Sequence, residues 1–295
     1  MTASVGMPGK NVRWHDTSGW LALLPGLALM VVFFVLPALK LLEISFYPHE
    51  LGSVLTPGFT LDNYIRFLTD SFYLSKLWLT IRLSVVVTIV TLILSYPVAY
   101  VLVRGHFVGK GLIIGLVLSP LLTNFIVLVF AWMLLLGPQS FVVKLLHSLT
   151  GSPIKLLYAE PGLIIALVHV SIPYALIPLI ASLAQVRKDL EEASVSLGAG
   201  PWKTFFLVVL PLTYPGAMSA AFVVVSIVLS GFAFALFIGG DSVLIVPLLI
   251  WQAVNDTHDW AMAAAMSFVA FIVVVLLLFL SMRLSGMARS RGGTQ

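Results

Sequence analysis

The sequence predicts an all-α integral membrane protein with six transmembrane helices and a helical loop on its cytoplasmic face. Three observations lead there. Hydrophobic residues make up 60% of the 295-residue chain, charged residues 9%, and the mean hydropathy is +1.09. A soluble domain carries about 25% charged residues, so this chain could not cover a water-facing surface. Uncharged apolar runs recur along the sequence, and several exceed the roughly 20 residues needed to cross hydrocarbon. Lys and Arg gather on alternate connections, as orientation in a membrane requires.

The spans are expected near residues 20–42, 77–103, 111–136, 161–186, 216–238 and 260–283. Each must be helical, because lipid offers no partner for backbone N–H and C=O groups. The first run, Trp20 to Leu39, is too long for a signal-peptide core and has no small-residue cleavage site. The 37-residue run from Thr204 to Gly240 is too long for one span. Pro211 and Pro215 are expected to break it, so the fifth span is placed from Gly216. Residues 1–19 and 284–295 read as polar, mobile tails.

Orientation follows from the basic residues. One side takes the N-terminal tail, the Arg104–Lys110 turn, the Arg187–Lys203 loop and the C-terminal tail. It holds ten of the 16 basic residues and four acids, a net +6. The other side holds six basic residues and eight acids, a net −2. The positive-inside rule puts both termini and the Arg187–Lys203 loop in the cytoplasm. On the outer side, Thr60 is placed to cap a short amphipathic helix in "TLDNYIRFLTD".

Composition also excludes functions. The chain has no Cys, hence no disulfide, thiolate metal site or Cys nucleophile. A net charge of +4 in a membrane protein reports orientation, so no nucleic-acid partner is implied. "GHFVGKG" at 105–111 is one residue short of a phosphate loop and has Gly111 where Ser or Thr would bind magnesium. "HELGS" at 49–53 lacks the second His of a zinc protease. No catalytic residue, metal site or bound cofactor is expected, and the chain does not read as an enzyme.

The segment "EEASVSLGAGPWKTFFLVVLPLTYPG", Glu191 to Gly216, stands apart from its apolar surroundings. Residues 187–197 are good helix formers with charges on one side. Gly198 and Gly200 can stop that helix, and Pro201 suits the first position of a second. Two short helices joined at glycine make a knob, which reads as a docking element over 187–211.

This segment resembles the "EAA" loop of the permease subunits of ATP-binding-cassette importers: Glu-Ala-Ala, three residues, Gly, nine residues, then Ile-x-Leu-Pro. The chain has Glu192, Ala193 and Ser194, then Gly198, then Val208-x-Leu210-Pro211. Ser194 replaces the second Ala and Val208 replaces Ile. "FTLDNY", "SYPVAYVL", "SGFAFALFIGG" and "DWAMAAAMSF" are similar to spermidine/putrescine-type permeases. The resemblance implies a bacterial inner-membrane permease working with a second permease subunit, two ATPase subunits and a solute-binding protein. ATP and magnesium would sit on the ATPase, and Glu192, Ala193, Ser194, Gly198, Leu210 and Pro211 would form its coupling loop. The solute would be a small organic molecule, polyamine-type by resemblance.

Polar groups inside the spans are the pathway candidates, since each is costly in lipid. Thr123 and Asn124 lie in the third span, where Asn124, Leu128, Ala131 and Leu135 should share a helix face with Trp132 to one side. His169 and Tyr174 lie in the fourth. In the fifth, Ser226, Ser230 and Gly231 would permit close helix approach. Interhelical packing is the plain alternative for each. The spans contain no carboxylate, which weighs against the other functional class considered, a stand-alone ion-coupled secondary transporter.

Overall fold

The computed structural model describes residues 18–48 and 57–292. Among these the secondary structure is helical throughout, with no strand. Five helices are long and apolar enough to cross a membrane, or six if one sharply bent pair counts as a single span. Residues 1–17 of the expected tail 1–19 and the "HELGS" motif lie outside the described residues.

The first apolar helix, α1, is Leu23–Ile44, and its hydrophobic window is not buried at all by the rest of the chain. After it comes a clasp. Helix α2, Asp62–Thr69, lies against the chain leaving α1. The Asn63 side-chain amide donates to the carbonyls of Ser45 and Tyr47 at 3.0 and 2.9 Å. Tyr64 and Ser45 share a hydroxyl bond of 2.7 Å, and Phe59 stacks on Phe46. Thr60 Oγ1 accepts the Asp62 N–H at 3.1 Å, but the cap position is Leu61, one residue later than expected, with no side-chain capping bond.

The core is a parallel pair, α3 (Ser71–Arg104) and α7 (Glu160–Gln185), joined by α9 (Pro201–Ser230). Leu83 and Val87 of α3, Leu163, Leu167, Leu176 and Leu179 of α7, and Ala220 and Val224 of α9 are fully or almost fully buried together. At one end of the pair Arg82 bonds Glu160. At the other, Arg104 bonds the Val186 carbonyl. The two contacts therefore sit at opposite ends of the bundle.

Between them, α4 (Lys110–Leu122) and α5 (Phe125–Leu136) meet at a break, and α6 is Phe141–Thr150. The expected third span, 111–136, is thus not one continuous helix. Thr123 is extended (φ −91°, ψ 137°), and Asn124 starts the second helix instead of continuing the first.

The fifth helix begins earlier than expected. Pro201 opens it, and it passes both Pro211 and Pro215 to reach Ser230. A five-residue π turn, Phe205–Val209, immediately precedes Leu210-Pro211. Another, Val31–Val35, precedes Leu36-Pro37 in α1. A proline ring collides with the carbonyl four residues back and leaves it unbonded. In both helices that carbonyl lies within the widened turn, which accommodates the ring without a break.

The chain breaks at Gly231 and re-forms as α10 (Phe232–Ser242). It then turns by 90° into α11 (Val246–Asn255). The span expected to end at 238 thus ends at Ser230. The turn is held from α3, where Thr80 Oγ1 accepts the Val246 N–H at 2.9 Å. Helix α12, Trp260–Gly292, completes the fold and takes in most of the stretch expected as a C-terminal tail. Phe67, Val246, Leu249, Met262 and Met266 form a second, smaller core beneath α2 and α11.

Candidate functional site

The first arm of the knob is a short helix ended at glycine, as expected, but its second arm is the start of the long α9 instead of a second short helix. Helix α8 is Lys188–Ser196, with Asp189 and Glu191 in its first turn, where acids suit the positive end of the helix. Gly198 follows with φ +82°. The Gly198 N–H bonds the Val195 carbonyl at 2.9 Å, and the Ala199 N–H bonds the Ser194 carbonyl at 3.1 Å. These two bonds make a Schellman cap, and its left-handed residue is the one that matches the motif glycine. A Cβ at Gly198 would meet no neighbour within 4 Å, so backbone conformation alone accounts for glycine here.

The two arms of the knob are tied together. Ser194 Oγ lies 3.0 Å from Thr204 Oγ1, which is buried at the base of α9. The departure from Ala at this motif position therefore adds a hydrogen bond. The tip of the knob is apolar, with Leu197 88% exposed, Trp202 74%, and Val195 and Leu190 also exposed, while Arg187, Lys188, Asp189 and Lys203 are exposed around it. Ala193 and Glu192 are exposed beside them. Leu210 and Pro211 lie deeper, where α9 leaves the knob.

The acid that turns inward is Glu191, which the sequence reading passed over in favour of Glu192. Arg104 Nε donates to Glu191 Oε1 at 2.8 Å, and the Tyr100 hydroxyl donates to Oε2 at 2.7 Å. Both Tyr96, which bonds Thr213 of α9, and Tyr100 belong to the "SYPVAYVL" motif. That motif is where α3 meets the knob. A cavity of about 1180 Å³ opens between α3, α8 and α9, walled by Tyr96, Tyr100, Tyr214, Trp202, Phe205 and Phe206.

The mid-membrane candidates separate into two pairs. Trp132 of α5 donates its indole N–H to His169 Nδ1 at 3.2 Å, and the rings meet edge to face. That bond requires an unprotonated Nδ1 and leaves Nε2 as the donor His169 can offer. Thr123 and Asn124 sit elsewhere, at the break between α4 and α5. Eight residues separate Asn124 from Trp132, about 12 Å along a helix. Asn124 Oδ1 caps α5 by accepting the Ile126 N–H at 2.9 Å, and the Thr123 hydroxyl donates to the Ser119 carbonyl at 2.9 Å. The shared helix face expected for Asn124 is therefore not formed. Tyr174 is exposed on the outside of α7.

Close helix approach occurs at Gly231, where a Cβ would stand 3.3 Å from Leu167 Cδ2, and is tighter still at Gly216. A Cβ on Gly216 would stand 2.3 Å from the Ser182 Cβ and 2.9 Å from the Pro178 carbonyl. The sequence reading also missed a row of hydroxyls on α3. Thr80, Ser84, Thr88, Thr91 and Ser95 recur every three or four residues and are all buried. That spacing is visible in the sequence as one helix face.

The fold is an all-helical bundle with membrane-length apolar helices and a capped helical knob at one end. The chain belongs to the family described as the inner membrane component of binding-protein-dependent transport systems, whose model matches residues 19–290. It is 29% identical over 256 residues to the spermidine/putrescine transport system permease protein PotB of Haemophilus influenzae, covering 86% of this chain and 89% of the relative. It is 32% identical over 168 residues to the molybdenum transport system permease protein ModB of Azotobacter vinelandii, covering 57% and 74%. Its fold is similar to a chain in the crystal structure of a bacterial importer of the acidic polysaccharide alginate. That match has a TM-score of 0.75 at 15% identity and covers 94% of this chain and 96% of the other. The chain is thus a membrane-spanning permease subunit of an ATP-binding-cassette importer, and a stand-alone ion-coupled transporter is not favoured.

Proposed function

We propose that this permease crosses the membrane six times with both termini in the cytoplasm. The third crossing is α4 with α5 and the sixth is α12, with the bent pair α10–α11 not counted as a crossing. Lys110 follows Arg104 by one short turn, while the Leu136 carbonyl accepts the Leu157 N–H near Glu160 at the opposite face. The 13 and 12 residues of α4 and α5 give about 38 Å of helix, enough to cross.

The knob over 187–211 docks on an ATPase subunit. The observation that carries this reading is its tip. Leu197 and Trp202 stand exposed beside a rigid glycine cap, on the face the charge pattern assigns to the cytoplasm. Glu192, Ala193 and Ser194, with Gly198, Leu210 and Pro211, make up the docking loop. The complex comprises this chain, a second permease, two ATPases that hold ATP and magnesium, and an external solute-binding protein. Its solute is a small polyamine-type molecule, a reading supported by the PotB relatives. Thr123, Asn124, Trp132, His169 and Tyr174 are the chain's contributions to the solute's path.

The test is uptake. Cells lacking this gene should lose ATP-dependent import of labelled spermidine and putrescine, and the restored gene should return it. Unchanged polyamine import alongside loss of another solute would keep the permease and reject the polyamine.

A further inference from the structure

Glu191 and Arg104 form a linkage that docking does not require. Their side chains are each only 13% exposed, and the nearest guanidinium contact is 2.6 Å. Tyr100 satisfies the second carboxylate oxygen, and the same guanidinium donates to the Val186 carbonyl at 2.7 Å. Three elements are joined at this point: the last turn of α3, the end of α7 and the first turn of α8. A nearly buried ion pair with every oxygen bonded holds one geometry, and removing either partner strands the other's charge.

What lies at the far end of α3 gives the linkage its direction. The helix is continuous for 34 residues, about 51 Å. Near its other end Thr80 caps α11 and Arg82 bonds Glu160. A displacement of the knob applied at Glu191 thus reaches the opposite face of the bundle through one unbroken helix, with Pro97 inside it between Tyr100 and Thr80. Glu192, one residue on, faces outward and has no such reach.

We propose that Glu191 and Arg104 are positioning residues that carry movement of the ATPase-held knob into α3, and so to the outer turn between α10 and α11. This rests on the importer-permease reading. A mere staple and a transmission element differ in one quantity, the ATP hydrolysed per solute imported. A staple lost lowers both in proportion to the complex remaining. A transmission element lost lets hydrolysis run without import.

The assembled complex with its loaded binding protein, in proteoliposomes, tests this. Glu191→Gln should raise the ATP consumed per solute by roughly 2- to 30-fold, the range for mutations along a coupling route. Tyr100→Phe, which removes one bond and leaves the charges paired, should raise it less. Glu191→Arg combined with Arg104→Glu should recover part of the wild-type ratio. If Glu191→Gln and Tyr100→Phe both keep that ratio, the linkage is only a staple and the proposal fails. If Glu191→Gln does not assemble, Tyr100→Phe alone decides. Absence of ATP-dependent import in the wild-type complex would instead overturn the importer reading.

Discussion

Gly216 and Ser182 bring α9 and α7 into backbone contact: a Cβ on Gly216 would stand 2.3 Å from the Cβ of Ser182. The neighbouring Pro178 carbonyl is at 2.9 Å, so neither side has a flexible group that can move away. Gly216→Ala should therefore cost about 1–3 kcal/mol through overpacking. Thermal unfolding in detergent should show a lowered midpoint, and Gly216→Val should reduce the folded yield further. An unchanged midpoint for both variants would mean the two helices are not held this closely.

Gly198 tests the knob. Its φ of +82° should cost a residue with a Cβ about 1–2 kcal/mol, less for Asn, which visits this region more readily. Gly198→Asn should retain more ATPase association and uptake than Gly198→Asp, with both variants inserted normally in the membrane. A Gly198→Asp complex that assembles and transports like wild type would remove the docking assignment.

Ser194 has a narrower role. Ser194→Ala removes the hydroxyl bond to Thr204 and restores the residue usual at this motif position. The cost should be about 1 kcal/mol of local stability, with the fold intact. Hydrogen exchange at the amides of α8 should quicken in this variant, and no change there would mean the bond does not restrain the knob.

Trp132→Phe keeps the ring contact with His169 and removes its donor. If the pair lines the solute's path, this change and His169→Gln should each shift the concentration for half-maximal uptake by several-fold, with complex assembly unaltered. Asn124→Ala is a less clean probe, because it also removes a helix cap worth about 1 kcal/mol. Normal kinetics in both Trp132→Phe and His169→Gln would make them packing groups.

Topology is checked separately. A reporter active only outside the cytoplasm should stay silent when fused after Gln295, and residues near Asp62 should accept label from the outer face. The opposite pattern would invert the proposed orientation.

The sequence carried most of the bundle and of the knob for plain reasons. Apolar run length marks the spans, and the Gly198, Gly200 and Pro201 punctuation marks the knob, because these signals act locally. What escaped was set by contacts between distant residues. Gly239, Gly240, Asp241 and Ser242 announce a turn ahead of Val243, but not its 90° angle, whose anchor is Thr80, 166 residues from Val246. Pro211 and Pro215 look like breakers until a π turn ahead of Leu210 makes room for the first ring. Asn124 lies in an unbroken apolar run, yet it is a strong capping residue placed four residues after Pro120, a signal that could have been read. The choice between Glu191 and Glu192 depends on the rotation at which α8 docks on α3, which local pattern does not contain.

The apolar tip at Leu197 and Trp202 has a cost when the chain is alone. In the proposed assembly the ATPase covers this patch, so a chain without its partner is expected to leave an apolar surface open to non-specific association.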